Sequence, residues 1–395
     1  MSERHLPVRP NLEQLKHQAK DLLRAEPALD SLASAQHTLA RSYGIASWPR
    51  LVLACRMTYA IWRDDAETVR RLVLRHPALL REDARGVKGN WGPPMSYAAN
   101  LGRMRIVRML HELGAEDLQF AFDRACLQGE LATARLLHEL GARPVDGVVM
   151  GTCETLNPAG LMFLLELGAR LVDEQGDRLA PAAMLLQGYG RNPAGKHQCL
   201  DIVRRHGVDL PDTPPMAVHR GRIDLLERHL ARDPDLLSRT FDHEEIYPPS
   251  LGCHADHSLA LHGTPLAGAT LLHTSIDFDE LPIARWLLAR GARADVTAAV
   301  DAEGFGGHTP LFATVVVQPQ WLRRADDAAR LLLDHGADPN ARASLRKQLR
   351  GVDDETLHEY RDVTPLGWGE RFHDQDFVSR PAMRLIAERG GRVAP

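Results

Sequence analysis

The stretch Leu136-Leu137-His138-Glu139-Leu140-Gly141-Ala142-Arg143-Pro144-Val145, LLHELGARPV, decides the fold because it has copies. MLHELGAEDL precedes it at 109–118 and LLELGARLV follows at 164–172, with Gly114, Gly141 and Gly168 each 27 residues apart. The pattern returns as VRRHGVDLP at 203–211, WLLARGARADV at 286–296 and LLLDHGADPNA at 331–341, and a worn last copy, LIAERGGRVA, lies at 385–394. Self-similarity at a short period is the mark of a repeat architecture.

Each copy has a physical logic. Paired leucines followed by Gly-Ala describe a helix that packs one apolar face inward and ends on a residue at positive φ, which glycine adopts without a Cβ clash. Upstream of several copies lies a second signature: GPPMSYAANLG (92–102), HTPLFATV (308–315) and VTPLGWGE (363–370). Proline in a first helical turn loses no needed N–H, and a preceding threonine can cap that turn. The repeat is therefore turn, helix, short loop, helix, glycine stop.

These residues resemble the ankyrin repeat, whose pattern runs from T-P-L-H-x-A to L-L-x-x-G-A-D-x-N. Leu331 to Ala341 follow its end almost letter for letter, and Thr309-Pro310-Leu311 and Thr364-Pro365-Leu366 follow its opening. The resemblance covers 57–395 in roughly nine repeats, several of them degenerate. It implies an all-α fold, an ankyrin-repeat α-solenoid of stacked helix-turn-helix units with finger loops, each repeat burying its face against its neighbours.

Before the repeats, Asn11 opens a helix in which Leu12, Leu15, Ala19, Leu22 and Leu23 recur at helical spacing. A second helical run spans 33–43, and Ser47-Trp48-Pro49 starts a third. The segment resembles a short helical element that often precedes ankyrin repeats in bacterial proteins. It reads as an N-terminal helical cap over the first repeat's open apolar face, with a separate docking element as the alternative.

The expected organisation is thus a cap over 1–55, degenerate repeats over 56–240, an inserted finger loop over 241–269, and repeats over 270–395 that carry long finger insertions at 295–307 and 342–362. All three insertions fall at one point of the repeat, between one second helix and the next first helix, where the ankyrin family places its β-hairpin finger. Because stacked repeats lie about 8–10 Å apart, three enlarged fingers in a row emerge side by side and wall or roof the concave groove. Long insertions in compact proteins are usually functional or disordered, and Ile246, Tyr247, Pro248, Pro249, Leu251, Leu259 and Leu261 supply apolar groups to dock the first one, which a disordered segment would lack.

Charge excludes some roles. The 48 Lys+Arg against 52 Asp+Glu leave a formal charge of -4, so the basic surface that drives phosphate-backbone binding is missing and no nucleic-acid partner is expected. The five scattered cysteines contain no C-x-x-C pair, which fits reduced thiols in a cytoplasmic protein. No apolar run approaches the roughly 18 residues of a membrane span, and no membrane partner is expected. Nothing marks an oligomer face.

The stretch GCHADHSLALH (252–262), inside the first insertion, brings Cys253, His254, Asp256, His257 and His262 together. His254 and His257 would share a face of a helical turn, and Cys253, His254 and His257 are the candidate metal ligands. No C-x-x-C or H-E-x-x-H supports a metal, so no cofactor is expected and these residues read as polar groups lining the groove. His273 stands at the histidine position of the T-P-L-H motif, where the ring bonds backbone between repeats. His308 precedes Thr309-Pro310-Leu311 at the base of a finger. Tyr360, Arg361, Trp368 and Arg371 at the end of the third insertion offer aromatic and guanidinium anchors. No phosphate loop, nucleophile elbow or dinucleotide fingerprint appears; Gly304-Phe305-Gly306-Gly307 reads as a flexible finger tip.

Two functions remain open. One is a cytosolic recognition protein that binds a protein or small-molecule ligand in the concave groove. The other is an enzyme or metal-dependent binder whose site is roofed by the C-terminal fingers, using His254, His257, His262, Asp301, His308 and Tyr360.

Overall fold

The repeat glycines end helices. Gly114, Gly141, Gly168, Gly207, Gly291, Gly336 and Gly390 all have φ between 86° and 119°. At most of them a Cβ would meet nothing within 4 Å, so the dihedral rather than space keeps glycine there. In this computed structural model residues 6–85, 91–255, 264–317, 325–350, 352 and 354–393 are described.

The helices pair as the repeats require, in two compact bodies, Met1–Arg170 and Leu171–Pro395. The first contains four helix pairs among the described residues: Trp48–Trp62 with Ala66–Arg75, Pro94–Asn100 with Met104–Glu112, Leu118–Gln128 with Leu131–Glu139, and Val148–Glu154 with Pro158–Glu166. Two helices precede them, Leu12–Ala25 and Leu32–Ser42, and their Leu15, Ala19, Leu39 and Ala40 share an apolar cluster with Leu51 and Cys55. One repeat also caps the last: the Asp117 carboxylate accepts from the Ser96 N–H at 2.9 Å and from its hydroxyl.

The second body has five pairs among the described residues. These are Ala180–Gln187 with Pro193–Arg205, Pro214–His219 with Ile223–Arg232, Leu271–Asp277 with Leu281–Ala289, the 3-10 turn Pro310–Thr314 with Ala325–Asp334, and Pro365–Arg371 with Arg380–Glu388. The first helix of a pair is short and buried nearly all round, as in Leu271–Ile276, while the second buries one stripe, as Leu331 and Leu332 do in the fourth pair. Each leucine so buried contributes about 1.5–3 kcal/mol. The fold is therefore all-α, built of stacked helix-turn-helix repeats. No helix among the described residues is long and apolar enough to cross a membrane.

The threonine caps form unevenly. Thr364 accepts from the Gly367 N–H at 3.1 Å and Thr213 from the Met216 N–H at 3.4 Å. Thr309 does not cap: its hydroxyl is buried without a partner, and the turn after it is 3-10 rather than α.

Among the described residues the paired strands lie at the insertions, and one isolated antiparallel bridge, Val316 with Val378, lies outside them. Thr240–Phe241 pairs antiparallel with Ala269–Thr270, closing the first insertion at its base. Ala343–Lys347 pairs antiparallel with His358–Val363, with an irregularity between Ala343 and Leu345. Backbone hydrogen bonds then join the three insertions edge to edge. The Ala299 N–H donates to the Gly268 carbonyl at 2.7 Å, linking first to second. Gly306 and Ser344 exchange N–H···O bonds of 2.7 and 3.3 Å, linking second to third. At both joints a glycine at positive φ lies against Ala299, since a Cβ would stand 2.7 Å from the Ala299 Cβ at Gly268 and 2.0 Å from the Ala299 oxygen at Gly306. The segment Gly304-Phe305-Gly306-Gly307 is consequently a packed turn and not a loose tip. Phe305 is buried, and the guanidinium groups of Arg346 and Arg361 lie 4.3 and 4.2 Å from its ring centre.

Candidate functional site

Joined in this way, the insertions line one partly enclosed cavity of about 630 Å³, contributed by Asp242, His243 and Pro265–Gly268 from the first, Ala299, Asp301 and Phe305 from the second with His308 at its base, and Leu345, Arg346, Lys347 and Leu357 from the third. That volume suits a drug-sized ligand.

Most charged and polar groups around the cavity are already engaged. Asp242 caps the turn His243–Ile246 in a reciprocal arrangement with Glu245. Asp301 accepts from the Glu303 and Phe305 N–H groups at 2.9 Å each and pairs with Arg346, which also pairs with Glu303. These contacts, the Phe305 N–H foremost, hold the Asp301 carboxyl below the usual carboxylate range. His243 donates from Nε2 to the His254 carbonyl at 2.9 Å.

Two groups are not engaged. Lys347 is 6% exposed, yet among the described residues its ammonium has no hydrogen bond or ion pair. Burial brings its pKa down to about 8, against the pull of Asp277 and with the push of Arg191. His308 is 1% exposed, and neither ring nitrogen makes a hydrogen bond of ordinary geometry. Burial lowers its pKa to about 4, although the Pro265 carbonyl lies close enough to oppose the shift. The ring is therefore neutral. Its backbone carbonyl accepts from His273 Nε2 at 2.9 Å, and the two rings meet edge to face at 5.3 Å. His273 bonds at its other nitrogen to Thr270, so it joins one repeat to the next.

Lys347 also senses a buried polar network of the same body. Arg191 donates to the Asp277 carboxylate at 2.9 Å with both side chains almost wholly buried. Lys196 places Nζ 3.8 Å from the centre of the Phe278 ring and 2.8 Å from His219 Nδ1. His219 Nε2 faces the Ile246 carbonyl at 3.0 Å, which can only accept. Nε2 therefore carries the proton and Nδ1 accepts from Lys196. Burial, then the Lys196 charge, push the His219 pKa well below its ordinary value, and burial brings Lys196 down to about 7 despite Glu280. Glu280, itself buried, pairs with His197 at 2.7 Å. Cys253 belongs to this environment: its thiol is buried and pushed up to about 12.

The residues expected in a groove separate into groups. Asp301 and His308 line the cavity. His254 is exposed, and its backbone is gripped by Gln187, whose amide donates to the His254 carbonyl at 3.1 Å and accepts from its N–H at 2.8 Å. Asp256, His257 and His262 lie outside the described residues. Among the described residues no group of three or more His, Cys, Asp and Glu side chains is placed to hold a metal.

Tyr360 and Trp368 are buried side by side instead of facing a groove, with ring centres 4.7 Å apart at 86°. Their aromatic area is taken up by Phe372, which packs on both. Tyr360 accepts from the His373 N–H at 3.0 Å and donates to His373 Nδ1 at 2.6 Å. His373 stacks on His358 at 4.0 Å, and His358 bonds Asp354 at 2.8 Å. Arg361 is committed to Phe305, and Arg371 is exposed at the end of its helix.

Sequence reasoning missed Lys347, Lys196, Arg191, Asp277 and His219. One signal was available: the chain has only five lysines among its 48 basic residues, and two of them are these buried ones. Where arginine serves almost everywhere, the rarity of lysine marks Lys196 and Lys347 out, although the charged neighbours of Lys347 give no sign that it is buried.

No protein-family model and no curated protein matches the chain. Among solved structures it is similar to the human ASB11 ankyrin repeat domain, at 17% identity and a TM-score of 0.25, with 76% of this chain and 99% of that chain covered. The architecture described above rests on the helix pairs themselves.

Proposed function

We propose that the chain is a cytosolic recognition protein whose ligand site is the cavity built by the three insertions. One observation carries this reading: insertions separated by whole repeats in sequence are hydrogen-bonded edge to edge around a common space, and two buried polar side chains without partners, Lys347 and His308, line it. Burying an amine or imidazole without a partner costs stability, and such a cost is typical of a site held ready for a ligand. The five free thiols, all buried, suit a reducing compartment. The degenerate repeats of the first body fit the same role as a scaffold, with the leading helices as its cap.

A small molecule or a protruding side chain fits the volume better than a folded surface does. Catalysis in the same cavity is the second reading, favoured by a neutral His308 ring and an amine, Lys347, whose pKa burial brings down to about 8, both lining one space.

Ligand-observed NMR with a fragment library tests the proposal. Fragments should bind the wild-type protein and be lost in Ala267→Trp, whose indole would occupy the cavity, with thermal unfolding little changed. Fragments that bind both proteins equally, or none that bind the wild type, would refute it. Turnover of a bound fragment would move the assignment to the catalytic reading.

A further inference from the structure

We infer that the cavity takes an oxyanion, a carboxylate or phosphate group on a small molecule, with Lys347 as its countercharge and His308 as a neutral hydrogen-bond partner. The inference rests on the reading of the cavity as a ligand site and adds the chemical class.

The first argument is an inventory of charge. Around the cavity, Asp242 is used by a helical turn and Asp301 by Arg346 and two backbone N–H groups, whereas Lys347 is unpaired among the described residues. Behind it lie two further buried cations, Arg191 and Lys196, so that three cations stand against two buried carboxylates, Asp277 and Glu280. Asp277 is committed to Arg191, and Glu280 to His197. His219 and Cys253 add no negative charge, one being a neutral acceptor and the other a protonated thiol. With its amines protonated, this network of the second body thus carries one positive charge more than its two carboxylates balance, and Lys347 is the cation of the three that lines the open volume.

The second argument is geometry. Lys347 comes from the last residue of the strand Ala343–Lys347 and His308 from the base of the neighbouring finger, so the two lie on different walls of one space. An ammonium supplies up to three donors without fixed direction, and a neutral imidazole supplies one donor and one acceptor. An oxyanion has acceptors for both. A cationic or purely apolar ligand would leave Lys347 buried and unpaired, which is the costly outcome.

The probes are inorganic phosphate and succinate, each titrated against chloride at matched ionic strength, with succinamide as the uncharged counterpart, by calorimetry and thermal unfolding. At least one anion should bind the wild-type protein and raise its unfolding temperature. Lys347→Met, of similar shape and no charge, should weaken that binding about 10- to 100-fold, the loss of one charge-assisted hydrogen bond. Without ligand the same variant should unfold at an equal or higher temperature than wild type, since it removes an uncompensated charge. Affinity should fall between pH 7 and pH 9.5 as Lys347, facing Asp277, Arg191 and His373, loses its proton.

Binding of phosphate alone assigns a phosphorylated ligand, and binding of succinate alone assigns a carboxylate. Equal binding to wild type and Lys347→Met, or binding of neither anion, overturns the assignment. If succinamide or uncharged fragments still bind and are lost in Ala267→Trp, only the anion class falls. If nothing binds, the ligand-site reading falls with it.

Discussion

Replacing Gly306 with alanine should open the junction between the second and third insertions. The residue has φ of 119°, and an added Cβ would stand 2.0 Å from the Ala299 oxygen and 3.0 Å from its carbonyl carbon. Those are backbone atoms, so the chain itself must move. The dihedral alone costs about 1–3 kcal/mol. Movement also breaks the reciprocal Gly306–Ser344 pair, two hydrogen bonds of about 0.5–1.5 kcal/mol each. Local opening should therefore become easier by about 2–6 kcal/mol. Gly304→Ala is the control, because Gly304 has φ of 85° but no atom within 4 Å of the added Cβ. It should pay the dihedral cost and keep the hydrogen bonds. Amide hydrogen exchange at Ser344 separates the two: exchange in Gly306→Ala should exceed that in Gly304→Ala by roughly 5- to 150-fold, the worth of the two bonds. Equal exchange in both variants would refute the reasoning, since the joint would then not depend on contact with Ala299.

Asp277→Asn strands the buried Arg191 charge and should cost about 3–5 kcal/mol in urea unfolding, much of which Arg191→Met in the same chain should recover; equal stability of single and double variants would show the pair to be unimportant. Tyr360→Phe removes one partner each from the His373 N–H and Nδ1 and should cost about 1–3 kcal/mol, read by the same unfolding curves, whereas a change within error would place the tyrosine outside the core. Lys196 and Lys347 have folded pKa values of about 7 and about 8, below the roughly 10.4 of a free lysine, so the unfolded chain binds more protons between those limits. The stability of wild type relative to Lys196→Met should therefore rise as pH increases from 7 toward 10, and a flat or falling difference would contradict the buried, weakly basic amine. His273 and His308, at about 3 and about 4, act in acid: the unfolded chain takes up their protons first below pH 6.5, so stability should drop as pH falls to 4, and His308→Phe should lessen that drop.

The helical repeat was legible because glycine stops and paired leucines are local consequences of helix geometry. The T-P-L signature was legible for the same reason at Thr364, and it misled at Thr309, where the following turn tightens to 3-10 and leaves the hydroxyl unused; the Thr213 cap, followed by Pro214-Pro215, was not read from the sequence. The position of the insertions followed from counting along the repeat, but their contents were harder to read. Tyr360 and Trp368 have the composition of recognition anchors, yet Phe372 and His373, just past the end of the next helix, pack against Tyr360, and that contact depends on where the finger folds back. Phe305 shows the same effect in reverse: glycines on either side suggest a loose tip, while two arginines from the neighbouring finger cover the ring. Lys347 was invisible because SLRKQLR reads as a charged loop. Only its register opposite His358 turns it inward, and register is set by the partner strand.

The measurement that bears most directly on the account is a crystal structure of the wild-type chain at a resolution that places main-chain oxygens in the three insertions. The account predicts hydrogen bonds from Ala299 N to Gly268 O and between Gly306 and Ser344, with Lys347 and His308 facing one enclosed space. Insertions that splay apart without those bonds, or a Lys347 ammonium neutralised by a carboxylate of its own chain, would contradict it.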